Sequence, residues 1–331
     1  SAKEIDGFLI QKGVLFSNKN DIFTEDPNRL IRVFRIKQQF NVSLDINLKN
    51  KITNSIPLID NQVINSLDAA DSFKAILSAP GEVYPILKEM HFLGVLGRYI
   101  PEFGELTCLI QHEYYHRYTA DEHVLRTIRH LDNVFAKKTP MDILYEKELR
   151  KNNSPHLLYI ILLLHDIGKS DGIKGHAESG AILAEPILNR LGFKKENQKK
   201  ILFIIRKHLE MARFWQRYDL DDIQTAISFS EIIKNAELLR FLTVHTYCDA
   251  KGTAPTLWNN YKDSMHQTLF FKTLKILKDQ TNPDTLNKEY KAMLKKDVLQ
   301  LSLGNLPEEE VEAHFSLLPE RYFVNTSANE A

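Results

Sequence analysis

The chain has 331 residues, 43% of them hydrophobic, which is enough to bury at least one full core, and the length predicts two domains. Lys+Arg and Asp+Glu each number 43, so the formal charge is zero, which argues against broad electrostatic binding of nucleic acid. The longest apolar run, Leu157–Leu164, is far shorter than the roughly 20 residues that cross a bilayer, and no signal segment opens at Ser1–Ile10. Cys108 and Cys248 form no CxxC pair, so a thiolate zinc site is not expected, and two free thiols fit a reducing cytosol. The expectation is a soluble cytoplasmic protein. Because the first residue is Ser, a processed chain or a fragment is expected.

Helical periodicity dominates and strand-like alternation is scarce, so an all-α fold is expected. Leu30, Val33 and Phe34 share one face of a helix with Pro27 at its first position and Asp26 as its cap. Ser72–Leu77 and Tyr84–Met90 read as short helices separated at Pro80-Gly81, and Pro101 and Gly104 punctuate the chain beyond them. Residues 1–110 are therefore expected to form a helical N-terminal domain. Residues 111–277, which hold most of the histidines, form a second helical domain, and 278–331 a helical extension and tail. Within that extension Glu308–Glu310 reads as a solvated helix start. No internal repeat or low-complexity tract is present.

The chemistry concentrates in the second region. His165-Asp166 follow the apolar helix Leu157–Leu164, and Gly168 offers its stop. A carboxylate at the end of a core helix is costly without a cation or a hydrogen-bonding partner. Upstream, Thr119-Ala120-Asp121-Glu122 matches a capping box, and His123 lies in the first turns of the helix it opens. Downstream, an apolar helix through Phe241-Leu242-Thr243-Val244 leads to Asp249, just before Lys251-Gly252. The order is His, His-Asp, Asp on three predicted helices. Imidazole with carboxylate suits first-row divalent metals and leaves positions open for water and substrate.

His176 and His208, with a bridging Asp166, are candidates for a second metal. His112 and His116 precede the His123 helix on a predicted loop and are candidates for substrate contact or proton transfer. His245 lies one helical turn before Asp249 and is read as packing. His91, His130, His156, His266 and His314 carry no supporting pattern and are read as surface or structural.

With these residues in view, His123, His165-Asp166 and Asp249 resemble the signature of the HD superfamily of metal-dependent phosphohydrolases. The segments Gln111–His123, Leu163–Lys169, His176–Ala181 and Asp249–Lys262 are similar to the HD domain of the bifunctional PII uridylyltransferase/uridylyl-removing enzymes, and upstream of that domain Asp26–Leu30 and Gly94–Phe103 also resemble the same family. Lys207-His208 stands where that family often shows paired histidines. No Gly-Ser pair accompanies a DxD carboxylate motif, and Asp219-Leu220-Asp221 lacks that context. A central piece or shortened relative without the nucleotidyltransferase site is therefore expected, with an HD-type metal-binding helical domain following the N-terminal bundle.

The resemblance implies removal of UMP from a uridylylated tyrosine of the PII signal protein, with one or two divalent ions, Mg²⁺ or Mn²⁺ ahead of Fe or Zn. It implies metal ligation by His123, His165, Asp166, Asp249, His176 and His208. Lys169 is expected to neutralise the phosphate, His116 to protonate the leaving phenolate, and Arg217 and Lys262 to bind the nucleotide phosphate or the partner. Two readings stay open beside it: a general nucleotide or cyclic-dinucleotide phosphohydrolase, and a non-catalytic regulatory module with a structural metal.

Overall fold

Among the described residues helices dominate, as the periodicity predicts, with a small sheet added in the N-terminal part. Strands β1 (Lys3–Ile5), β2 (Phe8–Gln11) and β3 (Val14–Phe16) form an antiparallel meander, and β4 (Ser43–Leu44) pairs parallel to β3. Asp6-Gly7 and Lys12-Gly13 turn the two hairpins with all four residues at positive φ, the backbone that tight hairpin turns require. Runs of three or four residues are too short for a period of two to stand out in sequence. Phe8 and Leu15 are the sheet's fully buried anchors. The computed structural model describes residues 2–110, 118–172, 174–254 and 256–279, parts of 292–299, and 307–317.

The described residues fall into two compact units, Ser1–Leu209 with Arg240–Trp258, and Glu210–Leu239 with Asn259–Ala331. The boundary expected near residue 110 falls inside the first unit.

In the first unit, α1 (Ile22–Glu25) leads to α2 (Arg29–Phe40), which buries Leu30, Ile31, Val33, Phe34 and Ile36. Helix α2 starts two residues later than Pro27 suggests. Asp26 instead accepts from Asn28 N at 3.1 Å and pairs with Arg32, so Pro27-Asn28 form a turn before the helix. Short helices α3 (Ile46–Asn54), α4 (Asn61–Ile64), α5 (Leu67–Leu77), α6 (Tyr84–Phe92), α7 (Val95–Tyr99) and α8 (Pro101–Gly104) follow. Both α5 and α6 run longer than the apolar periodicity indicates, and both pack on α2.

The helices that carry the histidines come next: α9 (Ala120–Phe135), α10 (Pro140–Leu149), α11 (Leu157–Leu164), α12 (His176–Arg190) and α13 (Lys195–Lys207). Every residue of α11 is buried, and α11 packs against α9, α13 and α5. It is apolar all round because it is surrounded.

The second unit contains α14 (Glu210–Arg217), α15 (Ile223–Ile233) and the start of α16 (Ala236–Thr253), whose remainder belongs to the first unit. Helix α17 (Asn260–Asp279) packs on α14 and α15, with Ile276 against Ile223, Ala226 and Ile227. Within the expected C-terminal extension, a helix at Glu308–Leu317 starts on the acidic run and buries Val311 and Phe315 against Leu294 and Val298. Among the described residues no helix is long and apolar enough to cross a membrane.

One buried carboxylate ties three elements of the first unit. Asp132 on α9 accepts from Tyr159 Oη of α11 at 2.6 Å and from the Val83 and Tyr84 amides at the start of α6, at 3.3 and 2.8 Å. Asp132→Ala leaves those donors without their acceptor, so it is expected to lower unfolding stability by about 2–4 kcal/mol, read by urea denaturation.

Candidate metal centre

Helix α9 presents His123 from its first turn. Thr119 occupies the N-cap position with extended backbone, but its side chain makes no capping bond, so the expected capping box does not form. Its hydroxyl engages Asp121, which also meets His91 Nε2 at 3.0 Å. The structural reading of His91 fits this contact.

His165 and Asp166 follow α11 directly and lead into a 3-10 turn at Ile167–Asp171. Gly168, expected to stop the helix, has a different task. A Cβ there would lie 2.2 Å from His176 O and 2.4 Å from Gly180 N, so only glycine lets α12 approach and bring His176 to Asp166. Asp249 does not close its helix either: α16 runs on to Thr253. Gly252 explains the crossing, since a Cβ there would meet Thr127 Cγ2 at 2.7 Å and Thr127 N at 3.1 Å on α9.

These approaches assemble two groups, His123 with His165 and Asp249, and Asp166 with His176 and His208. In the first, His123 Nε2 lies 3.0 Å from Asp249 Oδ1, and His165 Nε2 lies 3.6 Å from the same oxygen. In the second, His176 Nε2 lies 3.2 Å from His208 Nε2 and 3.4 Å from Asp166 Oδ1. Asp166 joins them, because its Oδ2 lies 3.5 Å from His123 Nε2 and 3.3 Å from His165 Nε2. The six residues expected as ligands therefore stand together.

The rings are held from behind. His165 Nδ1 lies 2.8 Å from Leu162 O, and His208 Nδ1 2.7 Å from Ile205 O. A carbonyl only accepts, so each Nδ1 carries the hydrogen and each Nε2 is turned to the centre. Ligand atoms bound at about 2.0–2.2 Å to one ion stand about 3.0–3.5 Å apart, and the donor separations cluster around that range. Four imidazoles with two carboxylates form a donor set that fits first-row divalent ions.

Charge supports the fit. Burial works against ionising Asp166 and Asp249, yet both are held well below the usual carboxylate range, Asp166 by His165 and Lys169, Asp249 by His123 and His165. Burial would likewise lower His165, but the same two carboxylates outweigh it and raise the imidazole to about 10. Positive charge is thus strongly favoured at this point. His208, lowered to about 4 by burial and by His165, is neutral near pH 7 and keeps its Nε2 lone pair.

Lys169, expected to neutralise the phosphate, stands 2.8 Å from Asp166 Oδ2. His112 and His116 lie outside the described residues. Arg217 is an exposed residue at the end of α14, and Lys262 is half-buried on α17; both belong to the second unit. No sequence pattern points to the close approaches at Gly168 and Gly252. His245, read from sequence as packing, is fully buried with its ring 4.9 Å from that of His165. The signal available was its place four residues before Asp249. Further along α16, Tyr247 Oη donates to the buried Asp142 at 2.8 Å, a contact no motif announces.

Comparison with known proteins gives what the chain is similar to. Residues 8–99 match the family described as the Uridylyltransferase GlnD third domain, and residues 120–227 match the HD domain. A bifunctional uridylyltransferase/uridylyl-removing enzyme of Rhodopseudomonas palustris is 32% identical over 83% of this chain and 30% of its own length. A counterpart from a Bradyrhizobium species is 31% identical over 83% of this chain and 29% of its own. The chain thus spans under a third of the length of these relatives. A solved tRNA-processing enzyme in an apo form aligns at a TM-score of 0.47 and 13% identity, over 78% of this chain and 64% of that one, too distant to carry weight.

The glycine contact yields a test. Gly168→Ala is expected to push α12 away from the 3-10 turn, weakening Mn²⁺ binding by about tenfold or more in calorimetric titration, and to cost about 1–3 kcal/mol of stability.

Proposed function

The chain is an HD-domain relative of the bifunctional uridylyltransferase/uridylyl-removing enzymes, and from that premise we propose that it is a metal-dependent phosphodiester hydrolase that removes UMP from the uridylylated PII signal protein in the cytoplasm. The observation that carries this reading is the pair of ligand groups joined by Asp166. The uridylyl-removing activity for which the relatives are named suggests the substrate.

The proposed ligands are His123, His165 and Asp249 for one ion, His176 and His208 for a second, and Asp166 for both. Mg²⁺ or Mn²⁺ is proposed ahead of Fe or Zn on the family resemblance; the carboxylates suit the first pair and the imidazoles the second. A bound divalent ion supplies Lewis acidity, lowering the pKa of a water and stabilising charge at phosphorus.

The chain's own residues do the rest. Backbone-anchored His165 and His208 keep their Nε2 atoms directed inward without reorganisation. Lys169 orients Asp166 through their 2.8 Å contact and contributes positive charge to the phosphate. The leaving group is a tyrosine phenolate, whose pKa of about 10 makes it a better leaving group than an alkoxide. His116 is proposed as its proton donor. Arg217 and Lys262 are proposed contacts for the nucleotide phosphate or the partner surface.

Incubated with uridylylated PII and Mn²⁺, the chain is expected to release UMP, and a chelator should stop that release. Fast turnover of free nucleotides or cyclic dinucleotides, with none of the protein substrate, would replace this reading by a general nucleotide phosphohydrolase. Metal uptake without hydrolysis of any of them would leave a structural metal in a regulatory module.

Asp166→Ala removes the carboxylate shared by both groups. Metal content by elemental analysis and UMP release are expected to fall together, turnover by at least about a hundredfold. An Asp166→Ala protein with full activity would overturn the assignment.

A further inference from the structure

Helix α16 carries a second side chain toward the centre. His245 lies four residues before Asp249, so the two occupy one helix face, the spacing by which a single helix offers two ligands to one metal. The His245 side chain is fully buried, and among the described residues neither Nδ1 nor Nε2 has a hydrogen-bond partner. Other histidines near the centre are engaged: His165 and His208 are tied to backbone carbonyls, and His91 meets Asp121. A buried imidazole with both nitrogens unused is costly, and native interiors rarely carry one without a ligand to meet it.

Ring positions show which ligand. With nitrogen about 2.1 Å from an ion, two imidazoles on that ion have centres about 4.6–5.3 Å apart for right-angled to tetrahedral arrangements. His245 and His165 are 4.9 Å apart, inside that range. His123 and His165, assigned to one ion, are 5.6 Å apart, His176 and His208, assigned to the second, 5.2 Å, and His208 lies 5.3 Å from His165 and 5.6 Å from His245. His245 is therefore as close to the nearest ligand rings as those rings are to one another. The ionisable groups that act on it most strongly, His165, Asp249, His208 and Asp166, all belong to the centre.

We propose that His245 is a further imidazole ligand of the divalent ion held by His165 and Asp249. The proposal rests on the metal-centre reading above and deepens it. It makes α16 a two-ligand helix, and it gives the first ion three imidazoles alongside its carboxylates.

The test uses Co²⁺, whose visible absorption reports the number and kind of its ligands. His245→Leu keeps a side chain of similar bulk and removes an unsatisfied buried polar group, so the metal-free variant is expected to melt no lower than wild type. Its Co²⁺ affinity is expected to fall by about tenfold or more, with an altered visible spectrum. His245→Cys is expected to show a thiolate-to-cobalt charge-transfer band in the near ultraviolet that wild type, with Cys108 and Cys248 present, does not show. Unchanged Co²⁺ affinity and spectrum in His245→Leu would overturn the role of His245 alone. A wild-type protein that takes up no Co²⁺ would overturn the metal centre itself, and this inference with it.

Discussion

The centre depends on keeping an ionised carboxylate in the core. Asp166 is almost fully buried, and on its own it would take up a proton rather than remain charged there. Lys169 and the imidazoles of His123, His165 and His176 surround it. Together they hold negative charge on two oxygens that face different ligand groups. Remove the compensation and the chain has no reason to hold His123, from one part of the sequence, beside His176 and His208, from others.

Rigidity around that carboxylate comes from two sources. The uniformly apolar α11 is enclosed on all sides, so His165 and Asp166 issue from a helix end with little room to move. Two glycines then let neighbouring backbones approach more closely than any side chain would permit, at Gly168 beneath α12 and at Gly252 across α9. The placement of the candidate donors is set by backbone proximity, and the His165 and His208 imidazoles are held by the Leu162 and Ile205 carbonyls rather than by flexible side chains. Buried polar contacts further out, such as Asp132 with Tyr159 and Asp142 with Tyr247, tie α9 to α11 and α10 to α16.

The same arrangement concentrates unfavourable terms in one place. His245 keeps two unused nitrogens in the core, and His165 and His208 are driven to opposite protonation preferences although their rings are neighbours. A scaffold selected for stability alone would place apolar side chains there. Charge and unsatisfied polarity gathered at one point are what a cation-binding centre requires, and the surrounding core is what tolerates them.

Helix-forming segments, the identity of six ligand candidates and their order along the chain were legible in the sequence, because apolar periodicity and the chemistry of His and Asp are local properties. The Asp6-Gly7 and Lys12-Gly13 hairpins were not, because their strands are too short to show a period. Pro27 misleads as a helix-start signal, since Asp26 pairs with Arg32 and the helix begins two residues later, whereas Thr119 does stand at the start of its helix but turns its hydroxyl to Asp121 instead of capping it. What only the tertiary structure decided was convergence: that Asp166 faces both groups of candidate donors, that Gly168 and Gly252 are points of close contact, and that the His245 ring lies beside that of His165. Such facts depend on which helix faces meet, and that is set by packing between residues far apart in the chain.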